Sequence, residues 1–351
     1  MNDTQLKEDF YKRFGVSQNR LAFSKTGLLC TLLGENDIKD FPSLSCCLSM
    51  CIRATGRKLG SKFINIENTQ TGKADVYRLD ELMALNTTEA EIFKKIPSLP
   101  DGAQILYDTT IPKNLDYSSE FNTTLLNTLL KISHKETDVL KKAAILATDN
   151  NFSKYVSILC AKKGWCTLVQ GTKYIHLPLP LTGYKLMTVH IRRKNAPKNV
   201  FIKKSDMDAI KRIYPHVLSI NDLTVGMLNN SDLKLKNDEL HRLKYLVCEK
   251  DNVHIGVECL RGCNIKKFAE TVNFSENHFR QFIKNYPESQ YIVDTLLDTG
   301  ECICARSRQD NIYAIITENR ADNTINILRH SFVNIFGYEP SICICDTSST
   351  E

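Results

Sequence analysis

Residues 109–130, TTIPKNLDYSSEFNTTLLNTLL, put a strand end, a tight loop and a helix start at Ser118-Ser119 in direct succession. That order suits anion binding. A helix start offers free N–H groups and the positive end of the helix dipole to a phosphate. A phosphate cradle also uses glycine, so that the backbone can come close to its ligand. Here the loop reads Lys113-Asn114-Leu115-Asp116-Tyr117, with no glycine and a carboxylate inside it. The layout of a cradle is present and its chemistry is replaced.

Other residue sets promise less. Cys302-Ile303-Cys304 and Cys343-Ile344-Cys345 could offer four thiolates to zinc. Each pair lies in a short apolar strand pattern that puts both thiols on one face, where cysteine serves as a small core residue. The spacing of a zinc knuckle is absent, so no metal is expected. Cys46, Cys47 and Cys51 lie in another apolar segment and read the same way. Arg192, Arg193, Lys194, Lys198, Lys203 and Lys204 form the densest basic cluster. Without an accompanying RNA- or DNA-binding motif it reads as a solvated inter-domain loop, and nucleic acid is not expected. A basic protein-interaction module is the alternative. No H-E-x-x-H, Walker loop, G-x-G-x-x-G or G-x-S-x-G occurs.

The elements that must position these residues can be read from periodicity. With 351 residues, 42% hydrophobic and 25% charged, the chain can bury two cores of ordinary size. No apolar run approaches the roughly 20 residues of a membrane span. The first residues, MNDTQLKEDFYKRFG, are charged and amphipathic rather than a signal peptide, and the 13 cysteines are odd in number. A cytosolic location without a disulfide framework is expected. A helix is predicted over 4–14, with Leu6, Phe10 and Phe14 on one face. Strands follow within 20–66 and at 102–107, then helices at 118–132, 136–147 and 151–162. A hairpin is predicted around Gln170-Gly171, and residues 177–181, LPLPL, are expected to stay out of a sheet because proline lacks a donor. After a strand at 184–191, helices are predicted at 205–214, 237–248, 251–260, 265–272, 275–284, 289–297 and 323–336. Strands at 301–305, 312–317 and 341–345 close the chain. A β-rich first half and an α+β second half suggest two domains, 1–192 and 193–351.

In this order the segments resemble the galactokinase branch of the GHMP small-molecule kinases. Residues 23–35, FSKTGLLCTLLGE, are similar to the family's APGRVNLIGEHTDY. Residues 108–119, DTTIPKNLDYSS, are similar to SDxPxGxGLSSS, and the tail FGYEPSICICDTSSTE to FGxxPxxYVxxPSxGA. The resemblance runs over nearly the whole chain. It implies an α+β, two-domain GHMP kinase-like architecture, with a β-rich N-terminal domain carrying helices and an α+β ferredoxin-like C-terminal domain.

Position by position, the chemistry departs from the family pattern. The two phosphate-loop glycines fall on Asn114 and Asp116, and the third serine on Glu120. Ser118 and Ser119 are kept, where they would cap the helix. The catalytic aspartate falls near Lys154, read as a surface helix residue, since an ammonium is no base without a strongly depressed pKa. The family's arginine falls on Leu28 or Leu29. In the run that grips the sugar, Glu35 is kept, histidine becomes Asn36 and aspartate becomes Ile38, with Asp37 one position away. The third, glycine-rich motif falls on Ser307-Arg308-Gln309-Asp310-Asn311, read as a short polar hairpin. The expectation is a catalytically inactive galactokinase-like protein with a binding or regulatory role and no cofactor. Its partner would be a protein or a small sugar-like ligand. The alternative is an active sugar kinase with a rewired site, which would need ATP and Mg and would use Glu35 or Asp37 as its sugar anchor.

Overall fold

The computed structural model describes residues 2–15, 21–96, 102–113, 115–148, 150–191, 204–283, 286–308 and 311–351. Asn114, Gln309, Asp310 and the basic run 192–203 lie outside them, as does the side chain of Lys204. In chain order the elements are Asp3–Phe14 (α1), Ala22–Gly34 (β1), Ser43–Lys58 (β2), Phe63–Asn68 (β3), Ala74–Arg78 (β4), Thr88–Lys95 (α2), Ala103–Thr109 (β5), Ser118–Ile132 (α3), Val139–Leu146 (α4) and Phe152–Leu159 (α5). Then come Trp165–Gln170 (β6), Lys173–Pro178 (β7), Tyr184–His190 (β8), Lys204–Ile213 (α6), Val225–Leu228 (α7), Asn237–Arg261 (α8), Ile265–Phe282 (α9) and Pro287–Asp298 (α10). Cys302–Arg308 (β9), Asn311–Thr317 (β10), Ala321–Phe336 (α11), Ser341–Cys345 (β11) and Thr347–Ser348 (β12) complete the chain.

Compactness divides the chain by space rather than by order. One unit holds Met1–Leu29, Cys47–Lys163 and Ser348–Glu351, and the other holds Cys30–Cys46 and Gly164–Thr347. This differs from the division at residue 192 that the change in composition suggests. Strands β1 and β2 each contribute residues to both units.

In the first unit, β3 lies antiparallel to β4 and parallel to β5, and β5 pairs antiparallel with residues 52–58 of β2. Ile52, Ala54, Ile66 and Ile105 on these strands face Phe121 and Leu125 of α3. Leu6 and Phe10 of α1 pack on Leu106 of β5, and Asp3 accepts from Arg53 Nε at 2.7 Å. Residues 22–24 and 28–33, which the sequence reads as parts of two separate strands, are joined in β1. Gly27 does not interrupt it, because a Cβ there would meet the Leu48 carbonyl at 2.4 Å. Glycine is what lets the two strands approach.

In the second unit, β11, β8, β10 and β9 form an antiparallel four-stranded sheet in that order. Met187, Val189, Ile312 and Ala314 of the sheet share a core with Ile292 and Leu296 of α10 and Leu328 and Phe332 of α11. Gly337, at φ 74°, ends α11 by donating to the Val333 carbonyl. The hairpin β6–β7 pairs with residues 43–45 of β2. Contrary to expectation, Leu177 and Pro178 close β7, opposite Cys166 and Trp165. Strand β7 ends the strand order, and an edge strand can hold a proline because the missing donor has no partner to satisfy.

Two predicted helix breaks are absent. Segments 237–248 and 251–260 are one helix, α8, and segments beginning at 265 and 275 are one helix, α9. At each supposed break the polar residues face inward. Glu249 and Asn252 of α8 and Ser275 and Glu276 of α9 are buried. Strand β9 likewise runs on through Ser307 and Arg308, which were expected in a polar hairpin.

Candidate functional site

At the start of α3, the loop after β5 is pinned by apolar plugs. Ile111 and Leu115 are buried, and the Leu115 N–H donates to the Pro112 carbonyl at 3.0 Å. Tyr117 takes the N-cap position without capping through its side chain, so Ser118 and Ser119 are the first helical residues rather than the cap. The cap comes from Asp116, whose Oδ1 accepts the Ser118 N–H at 3.0 Å. One turn in, Glu120 is 3% exposed and its Oε1 accepts the Leu29 N–H at 2.9 Å. Leu28 and Leu29 are themselves core residues. Asp116 therefore occupies a backbone donor at the head of this helix, and Glu120 one on β1. Each such charge-assisted bond is worth roughly 1.5–3 kcal/mol.

Lys154 is half-buried on α5, which packs against α3. It is not the free surface residue expected from the sequence, because its charge acts on both carboxylates. Burial pushes the Glu120 carboxyl up, against the opposing pull of Lys154 and of the Leu29 N–H. Asp116 is partly desolvated, yet the Ser118 N–H and hydroxyl together with Lys154 hold its carboxyl below the usual value.

The sugar-run positions lie in the second unit. Gly34 ends β1 at φ 81°, where a Cβ would meet the Pro42 carbonyl at 2.0 Å. Asn36 is buried. Its amide donates to Thr31 Oγ1 at 2.7 Å and Ser45 Oγ at 3.0 Å, and its carbonyl oxygen accepts from Ser43. It ties β1 to β2 from a buried position. Asp37 is half-buried beside it. Glu35 accepts from the Tyr245 hydroxyl at 2.7 Å and lies 3.6 Å from Arg308 Nε.

Glu35 is the outer member of an ion network that the sequence did not disclose. Glu249, fully buried on α8, accepts from the Gly34 N–H, Arg306 Nη2 and Ser275 Oγ, each at 2.5 Å. Arg306, 1% exposed, also donates to the Leu32 carbonyl. Arg308 reaches Glu249 at 3.4 Å, with its guanidinium 5.2 Å from the Phe279 ring centre and 5.9 Å from that of Tyr245. Glu276 accepts from the Ser307 N–H at 2.8 Å and from Arg280 Nε at 3.1 Å. Burial lifts the Glu35 carboxyl to about 7, with Arg308 and Tyr245 opposing and Glu249 and Asp37 adding to the rise. Burial also raises Glu276. Glu35 is thus a carboxyl that can hold or release a proton near neutrality. The one signal of this network in the sequence is two arginines on the inward alternation of β9, at Arg306 and Arg308, following Cys302 and Cys304.

Cys302, Cys304 and Cys345 are buried, as are Cys46, Cys47 and Cys51. Among the described residues, no group of three His, Cys, Asp or Glu side chains is placed to hold a metal ion, and no helix is long and apolar enough to cross a membrane.

No protein-family model matches the chain, and no curated protein matches it by sequence. Solved structures do match. The galactokinase of Lactococcus lactis, complexed with galactose, superposes with a TM-score of 0.85 at 15% identity, covering 99% of each chain. The mevalonate kinase of Methanococcus jannaschii gives 0.61 at 12%, over 94% of this chain and 98% of that one. The homoserine kinase of Cytophaga hutchinsonii gives 0.60 at 12%, over 96% and 98%. Identities this low speak for the fold alone: the chain carries the GHMP kinase fold, in its galactokinase form.

Proposed function

We propose that this protein is a catalytically inactive galactokinase-fold protein that acts by binding a small sugar-like ligand or a protein partner. One observation carries the reading. Asp116 holds the Ser118 N–H at the head of α3, and the Glu120 carboxylate lies one turn behind it. A nucleotide phosphate would have to displace the first and sit beside the second. Each like-charge contact costs about 1 kcal/mol in water-like dielectric and more when partly buried. Side chains at 115–117, and no glycine, also line the loop that a phosphate would have to approach. The residues present therefore do not fit the phosphates of ATP. In the family pattern that the sequence resembles, the carboxylate base falls near Lys154, and an ammonium whose charge acts on two carboxylates serves as a counter-ion.

Calorimetric titration with Mg-ATP, with and without galactose (the sugar held by the Lactococcus lactis structure), tests the reading. No nucleotide binding is expected up to millimolar concentration. A dissociation constant below that would overturn it.

A second reading, an active sugar kinase with a rewired site, is favoured by Glu35. A carboxyl held at about 7 suits proton exchange with a sugar hydroxyl. A coupled ATPase assay over a sugar panel separates the readings. Turnover that disappears in Glu35→Ala supports the kinase, and its absence with every sugar supports the binding protein.

A further inference from the structure

We infer that Asp116, Glu120 and Lys154 are one coupled charge set at the head of α3, in which Asp116 occupies the helix-head donor that a bound anion would take, Glu120 ties the helix to β1, and Lys154 balances both carboxylates. The inference rests on the inactive reading and deepens it. It says how the donors at the helix head are kept occupied.

The geometry has three parts. First, α3 is 15 residues long, so its positive end is fully developed at Ser118. An anion there is favourable, and Asp116 supplies it from within the chain at 3.0 Å. Second, Glu120 does not reach into solvent. Its carboxylate crosses to β1 and takes the Leu29 N–H at 2.9 Å. The Lys131 ammonium reaches the Phe23 carbonyl at 2.8 Å, so α3 is tied along β1 at both ends. Third, α5 packs on α3, the charge of its half-buried Lys154 acts on both acids, and the neighbouring Ser153 and Ser157 are buried. A buried carboxylate with no counter-charge is strongly destabilising. An aspartate at position 154 would make three acids in one place. Buried Glu120 therefore needs the counter-charge of Lys154, and exposed Asp116 shares it.

Such a set has a thermodynamic signature that a merely tolerated surface lysine lacks. The effect of changing Lys154 must depend on residues 116 and 120. The test measures unfolding midpoints for Lys154→Met, for Asp116→Asn with Glu120→Gln, and for the triple variant. Lys154→Met alone is expected to lower the midpoint by several degrees, and the same change in the neutralised background to have little effect. Lys154→Asp alone is expected to be the worst variant. It is expected to regain most of the lost stability when combined with Asp116→Gly and Glu120→Ser. Where a single variant does not fold, the combined variants still give a result. Additive effects, or Lys154→Asp tolerated as well as Lys154→Met, would overturn the inference. Mg-ATP titration of the unaltered protein is a separate readout: binding there defeats the inactive reading, whatever the stability cycle gives.

Discussion

Glu35 shows how burial can change the chemistry of one residue. Gly34-Glu35 is the pair that resembles the start of the sugar-gripping run in galactokinases. Gly34 keeps its left-handed backbone and offers its N–H to Glu249. Glu35 itself is held by Tyr245 and faced by Arg308. Its carboxyl is raised from 4.5 to about 7 in the folded state. The stability this contributes is complete below about pH 4.5 and is lost as pH rises through about 7. A shift of that size corresponds to something on the order of 3 kcal/mol. Glu120 and Glu276 are raised by burial as well and act in the same direction. Urea midpoints of the unaltered protein should therefore fall from pH 4.5 to 7, and Glu35→Gln should flatten that slope. An equally steep slope in Glu35→Gln would show that Glu35 does not titrate there.

At the scale of elements, the instructive failures are α8, α9 and β9. Polar residues near mid-helix, Glu249-Lys250 in one helix and Ser275-Glu276 after the gap at 273–274 in the other, make each helix look in sequence like two short ones. In the structure Glu249 and Glu276 are inward positions met by Arg306, Arg308 and Ser307 from β9, and Lys250 donates to the Asn221 and Leu223 carbonyls. Periodicity ranks residues by hydropathy and cannot see that a buried acid has found its base on an element 50 residues away. Helix α3, by contrast, was legible throughout, because its apolar repeat is regular and its start is marked by the loop. The ion network gives its own prediction. Removing one partner of the Glu249–Arg306 pair strands a buried charge and costs about 3–5 kcal/mol. Glu249→Met or Arg306→Met should each show that loss in urea unfolding. The double variant should recover part of it, but not all, because the Gly34 N–H and the Leu32 carbonyl lose partners too. A double variant no better than the sum of the singles would argue against direct coupling.

At the scale of the whole molecule, two strands set the behaviour. Composition changes near residue 192, which suggests a chain of two consecutive halves. Yet β1 passes between units at Leu29 and Cys30, and β2 at Cys46 and Cys47. A strand that belongs to two units couples their unfolding. Differential scanning calorimetry should therefore show one transition whose calorimetric and van't Hoff enthalpies agree. Two resolved transitions would show that each strand can part at those junctions.

The sequence alone determined the α+β class, the hairpin around Gly171, the helix that follows the glycine-free loop, and the order of segments that resembles the galactokinase branch. These are local patterns or their succession, and a chain carries them in its own order. It also showed that glycine is missing at the head of α3. Only the tertiary structure decided how that helix head is held. Asp116 caps the helix, Glu120 turns to β1, and the charge of Lys154 on α5 acts on both. The same holds for Glu35, whose proton affinity is set by burial beside residues from α8 and β9. Charge balance in a low-dielectric interior depends on distance in space, and separation along the chain does not encode it.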